Sequence, residues 1–314
     1  VDIGYPFKDR SEAVIRIGSP IDLTSAPGAA RTYVMAAHGA GSTVNVPIAG
    51  GMSVTDALTA NPATTLLAPS AFARLGLVTQ GVPEDRIAVV PRGIDPGFFR
   101  PPSDSEQDNL RERFGWSDEF VFLNVSAMTD NKGIDRLIRA FAAVVAHYPQ
   151  ARLVLKGVDS IYRSKDRFTG IMRQLSPEMA AMVEPRITYI GGNYKLVDMT
   201  RLYQCADVLV APYLSEAFCS PALEAAACGL PSICTQGGPT EETTSDEFSL
   251  RIAAQWDPQS RILSPDENHL AQNMAFIVTN PAWRERASIV AADFASRRFT
   301  WDQAAERLLQ VIGV

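Results

Sequence analysis

The sequence predicts an α/β protein built from two units with parallel sheets, on three observations. Short β-rich runs alternate with helical patterns along most of the chain. Several of those runs are almost continuously apolar, as strands covered on both faces require. A stretch crowded with Pro, Ser and acidic residues then divides the chain near residue 100. A length of 314 residues suits two domains of about 150 residues each, and 46% hydrophobic content supplies their cores.

Taken in order, "TYVMAAHGAGSTVNV" reads as a strand and a following loop, with His38, Gly39 and Gly41 at its crevice end. A dinucleotide fingerprint would need Gly or Ala where Val44 stands, which argues against a dehydrogenase. "TTLLA" is the next strand, "SAFARLGLVTQG" a helix and "RIAVV" a further strand. The segment "GFFRPPSDSE", from Gly97 to Glu106, reads as the surface connection. It divides the chain into a first domain over residues 1–100, a second over 101–298 and a final helix over 299–314.

Beyond the connection, "EFVFLNVSA" is a buried strand. Ile134, Leu137, Ile138, Phe141, Val144 and Val145 then form one apolar stripe of a helix from Gly133 to about His147. "ARLVLKG", "RITYIGG", "ADVLVAPY" and "LPSICTQGG" are further strands, and ligands of parallel sheets bind outside such carboxyl ends. The strand in "ADVLVAPY" is expected to end near Tyr213. "SPALEAAACG" should be a helix with Ser220 as N-cap, Pro221 in its first turn and Gly229 as its stop. In "RRFTWDQAAERLLQVIGV", Thr300 with Gln303 three residues on predicts a capped, amphipathic closing helix.

A formal net charge of -6 argues against a broadly nucleic-acid-binding surface. Cys205, Cys219, Cys228 and Cys234 form no CxxC pair and lie far from the histidines, so they read as buried free thiols, and no metal site is expected. His147 and His269 read as helix-end or surface residues. With no run of 18 apolar residues and no signal-like start, the expectation is cytoplasmic residence, with peripheral membrane contact left open.

The chemistry is carried by "SEAFCSPALEAAACGLP" and "NVSAMTDNKGIDRLIRAF". Glu216 falls in a strand-to-helix loop, and Glu224, four residues past Ser220, shares a face with the helix start, so both carboxylates can border one crevice. A capping box would need the acid where Leu223 stands; plain surface placement near a helix N-terminus is the other reading. Lys132 precedes a helix N-terminus, a mildly unfavourable place for a cation unless an anion binds between them, which points to phosphate. A solvated loop lysine is the alternative.

From about Thr65 to the C-terminus these residues resemble the retaining glycosyltransferases of family 4, whose fold is GT-B: two Rossmann-like domains with parallel sheets and a deep cleft between them. The segment "SEAFCSPALEAAACGLPSICTQGGPTEE" carries the resemblance most specifically, supported by "LLAPSAFARLGLVTQGVPEDRIAVVPRGIDPGFFRP", "NKGIDRLIRAFA" and "FTWDQAAERLL". The resemblance implies metal-independent transfer of a hexose-type sugar from a nucleoside-diphosphate sugar to a saccharide, lipid-linked or other hydroxyl acceptor, with the final helix crossing back to the first domain. It gives Glu224 the ribose hydroxyls, which a carboxylate can accept as a pair. It sets Glu216 beside the donor sugar, with the amides of Ala217, Phe218 and Cys219 facing sugar hydroxyls or phosphate and Ser220 also at the donor site, and gives Lys132 the diphosphate. His38 would touch donor or acceptor sugar.

Two departures stand out. Ala127 occupies the position of the family's usual arginine, leaving Lys156 or Arg92 to supply the charge, Arg92 standing where the family often has asparagine. The chain also begins part-way into the first domain, which is expected to be incomplete. An inactive nucleotide-sugar-binding subunit, a sugar-nucleotide epimerase and a phosphorylase are the competing readings.

Overall fold

A computed structural model describes residues 13–17, 23, 29–36, 53–258 and 262–313. His38, Gly39, Gly41 and Val44 lie outside the described residues. The strands are β1 (Ala13–Arg16), β2 (Arg31–Met35), β3 (Thr64–Ala68), β4 (Ile87–Val89), β5 (Phe120–Val125), β6 (Ala151–Lys156), β7 (Ile187–Ile190), β8 (Val208–Ala211), β9 (Ser232–Thr235), β10 (Ser249–Ile252), β11 (Ala254–Asp257) and β12 (Ile262–Pro265). The helices are α1 (Val54–Ala60), α2 (Ala71–Thr79), α3 (Asp104–Phe114), α4 (Ile134–Val145), α5 (Asp159–Tyr162), α6 (Ser164–Arg173), α7 (Pro177–Val183), α8 (Leu196–Cys205), α9 (Ser220–Ala227), α10 (Thr240–Thr243), α11 (Glu267–Thr279), α12 (Pro281–Arg298) and α13 (Trp301–Ile312).

Two parallel sheets organise them, a four-stranded one ordered β1-β2-β3-β4 and a six-stranded one ordered β10-β9-β8-β5-β6-β7. The second sheet is covered on both faces because its strands are apolar on both. On β5, Val121 and Leu123 pack towards Leu209, Ala222 and Ala291, while Phe120 and Phe122 pack towards Leu137, Phe141 and Met274. The predicted stripe of α4 is buried in full, from Ile134 to Val145.

Three expectations are corrected. The end of the connecting segment is helical: Ser103 caps α3 and Glu106 closes the capping box, so the acidic residues read as linker are its first turn. β8 stops at Ala211, because Pro212 has no N–H to give a central strand. The N-cap of α9 is Cys219, held at φ 62°, and Ser220 is the first helical residue; Gly229, at φ 71°, follows the end of the helix as expected. Strands β1, β10 and the β11–β12 hairpin carried no assignment in the sequence reading.

Thr300 caps α13 with Gln303, as its spacing predicts. The helix lies on the first sheet: Leu308, Val311 and Ile312 pack with Tyr33, Leu67 and Val90, and Arg307 Nε donates to the Val89 carbonyl at 3.1 Å. The chain therefore crosses between the lobes twice, side by side. Ile94 N–H donates to Phe299 O at 2.8 Å and Trp301 N–H to Ile94 O at 3.3 Å. Gly93 permits this approach, since a Cβ there would lie 2.4 Å from Trp301 N.

Candidate active site

A cleft of about 960 Å³ opens at the carboxyl ends of β5, β6 and β8. β6 lies on one side of β5 and β8 on the other, so this is the point where strand order reverses and a crevice forms. Two turns line it, after β5 and after β8.

The turn after β5 is shaped to meet the second. Gly133, at φ 66°, would place a Cβ 2.1 Å from Pro212 O, so only glycine permits the approach. Asn131 then joins the turns: its carbonyl accepts from Leu214 N–H at 2.8 Å and its side-chain amide donates to Ser215 O at 2.8 Å. The result brings together two residues 84 apart in sequence, Lys132 and Glu216, whose ammonium and carboxylate form an ion pair. Their side chains are 20% and 19% exposed. Burial pulls the Lys132 pKa down, but the charge and hydrogen bond of Glu216 outweigh it, and the net shift is upward. The anion expected beside Lys132 is thus supplied within the chain.

The turn after β8 ends in the left-handed Cys219. Among the described residues no carbonyl or side chain accepts from the amides of Phe218, Cys219 or Ser220, whereas Ala217 N–H donates to Glu216 Oε1 at 3.1 Å. Successive free amides around a left-handed residue at a helix start form an anion-binding concavity. Ala217, Cys219 and Ser220 line the cleft; the Phe218 ring is buried in the core beneath it.

Glu224 sits apart from Glu216. Its carboxylate accepts from the Tyr203 hydroxyl at 2.6 Å, and it does not line the cleft that Glu216 lines. Burial pushes its pKa up, against the opposing Tyr203 hydrogen bond and Arg92 charge. Tyr203 belongs to no motif in the sequence, and only its position on α8 brings it here. Arg92 lines the cleft from the first lobe and its Nη1 donates to Ser220 Oγ at 3.2 Å. Lys156 also lines the cleft, but its ammonium donates to the carbonyls of Gly157 and Gly192 and stands 5.1 Å from the Tyr194 ring centre; burial lowers its pKa. Ala127 lines the same wall.

All four cysteines are free and buried, and burial raises each thiol pKa. Among the described residues, no three His, Cys, Asp or Glu side chains gather as metal ligands would, and no helix is long and apolar enough to cross a membrane.

Two parallel-sheet lobes, with a cleft at a strand-order reversal and a turn of free amides, define a two-lobed α/β protein whose crevice is shaped to take an anion. The profile of the family described as "Glycosyl transferases group 1" matches residues 106–289, and the chain belongs to that family. It is 28% identical over 235 residues to mannosylfructose-phosphate synthase of Agrobacterium fabrum, covering 74% of this chain and 48% of that protein. It is 30% identical over 237 residues to D-inositol 3-phosphate glycosyltransferase of Xylanimonas cellulosilytica, covering 74% and 52%. The chain thus spans about half the length of these curated relatives. Among solved structures, HepE of Anabaena, in complex with UDP and glucose, superposes with a TM-score of 0.74 at 18% identity over 90% of this chain and 71% of that one. Sucrose-phosphate synthase of Thermosynechococcus elongatus gives 0.68 at 22% identity, over 90% and 67%. The fold is GT-B.

Proposed function

We propose that the protein is a retaining, family 4 enzyme that moves a hexose-type sugar from a nucleoside-diphosphate sugar to an acceptor hydroxyl without a metal ion. The observation that carries this reading is that the Lys132–Glu216 pair lines one cleft together with Cys219 and Ser220, whose amides are free along with that of Phe218. The donor diphosphate would take its charge complement from Lys132, those amides and Arg92, competing with Glu216 for the ammonium. Glu216, so released, would hold the donor sugar, and Glu224, which in the free protein lies off the cleft wall on the Tyr203 hydroxyl, would take the ribose diol once a nucleotide extends past Ser220. The bond from the sugar's anomeric carbon to the diphosphate breaks with its electron pair going to the phosphate oxygen. The acceptor oxygen bonds that carbon on the same face and passes its proton to the departing phosphate.

The complexes of HepE with UDP and with UDP-glucose support a nucleotide-sugar donor. The names of the two relatives support a hydroxyl-bearing small molecule as acceptor. In this reading the protein works in the cytoplasm, and a lipid-linked acceptor would bring it to a membrane surface. Ala127, on the cleft wall where the resemblance places an arginine, favours a second reading as a binding subunit without transfer.

The test is thermal unfolding with UDP, GDP, ADP and TDP. One nucleotide should raise the melting temperature by several degrees, since a ligand at about 100 times its Kd adds about 2.7 kcal/mol. Glu224→Ala should abolish the rise. No rise with any of them would overturn the donor assignment, and hydrolysis of the matching nucleotide sugar above background would dismiss the binding-subunit reading.

A further inference from the structure

The turn that carries Glu216 is fastened to the opposite lobe. Ala217 follows β8 of the second sheet, yet its side chain is buried among Leu66, Ala68 and Ala73 of the first lobe. Its carbonyl accepts from the Ser70 hydroxyl at 2.7 Å, and Ser70, 1% exposed, also caps α2 by accepting from Ala73 N–H at 2.9 Å. The remaining amides at the start of α2 are taken by the second lobe as well. Glu242 of α10 accepts from Ala71 N–H and Phe72 N–H, both at 2.8 Å, one with each carboxylate oxygen. A carboxylate on a helix N-terminus makes short, charge-assisted and directional bonds that water can replace when the lobes part.

We propose that Glu242 and Ser70 are positioning residues, fixing the Glu216–Ser220 turn only when the lobes are together. The chain of contacts is continuous. Separating the lobes takes the Ala217 carbonyl from Ser70, and Ala217 N–H is itself held by Glu216, whose other oxygen meets Lys132. Lobe approach and the arrangement of the cleft are therefore one event. This rests on the donor-site reading above for its consequence on ligand affinity, and on geometry alone for its consequence on shape. Glu241 is the internal contrast, since its carboxylate accepts from Gly237 N–H at 2.7 Å within its own lobe.

The experiment measures solution scattering, melting temperature and calorimetric affinity for the preferred nucleoside diphosphate in Glu242→Ala, Glu242→Gln and Glu241→Ala. Glu242→Ala should enlarge the radius of gyration at a nearly unchanged melting temperature and raise Kd roughly tenfold, equivalent to about 1.4 kcal/mol. Glu242→Gln keeps one acceptor oxygen and should fall between, while Glu241→Ala should move neither quantity. A Glu242→Ala protein with wild-type radius and wild-type affinity overturns the proposal. If the wild type binds no nucleoside diphosphate, the donor reading fails, and the radius alone then decides whether Glu242 fastens the lobes.

Discussion

Glu216 and Glu224 lie on either side of one helix start, and the molecule treats them in opposite ways. Glu216 borders the open cleft and is neutralised by direct contact with Lys132. Glu224 lies away from that wall, and its carboxylate accepts from an uncharged hydroxyl, that of Tyr203. The first carboxylate is held in place by direct contact with a cation, the Lys132 ammonium. The second is held in an environment that disfavours its charge. Under the proposed function, a bound ribose would supply the partners that this buried carboxylate lacks in the free protein.

The largest effect that would test the contrast is at Lys132. Lys132→Ala leaves the Glu216 carboxylate four-fifths buried without its cation and should cost about 2 kcal/mol in chemical denaturation. In a double-mutant cycle with Glu216→Gln, the coupling should come to about 1–3 kcal/mol. A coupling near zero would mean that the pair is only a surface contact and that the two carboxylates do not differ in this respect.

Next in size is Glu224→Gln, which keeps an acceptor for Tyr203 and removes the buried charge. The sign follows from linkage. An acid whose pKa is raised in the folded state holds its proton more tightly there, so stability is lost as pH rises from the unfolded value, about 4.3, through the raised folded value. Glu224→Gln should thus be more stable than wild type at pH 8, by about 1 kcal/mol, with the gap closing as pH falls towards 4. Equal destabilisation at both ends of that range would show that the Tyr203 bond outweighs the burial cost.

The smallest effect belongs to Arg92, whose charge acts to lower the Glu224 pKa. Arg92→Ala should change stability by only about 0.5 kcal/mol near pH 5, but should steepen the loss of stability above it. A melting curve parallel to wild type across pH would detach Arg92 from Glu224.

How much of this the sequence contained varies with the range of the interaction. Strand and helix positions followed from local period and caps, as in α4 and in the Thr300–Gln303 box. The two cleft turns were legible as the carboxyl ends of strands. Their pairing was not, because an ion pair across 84 residues has no local trace. Tyr203 was missed for the same reason, and so were Ser70 and Glu242 as partners across the lobes. The Ser220 cap failed because Cys219 adopts a left-handed backbone that a non-glycine residue reaches only under tertiary constraint.

The side-by-side crossing at Ile94 and Thr300 also has a mechanical meaning. Two bodies tied by a single flexible thread can bend, twist and slide. Tied by two adjacent backbones that share hydrogen bonds and leave no room for a Cβ at Gly93, they are expected to keep chiefly one rotation, about an axis through the pair. Were the cleft to open, this pair of strands of chain would confine the movement to a single angle, and a distance measured between any two points far from the axis should then track every other such distance.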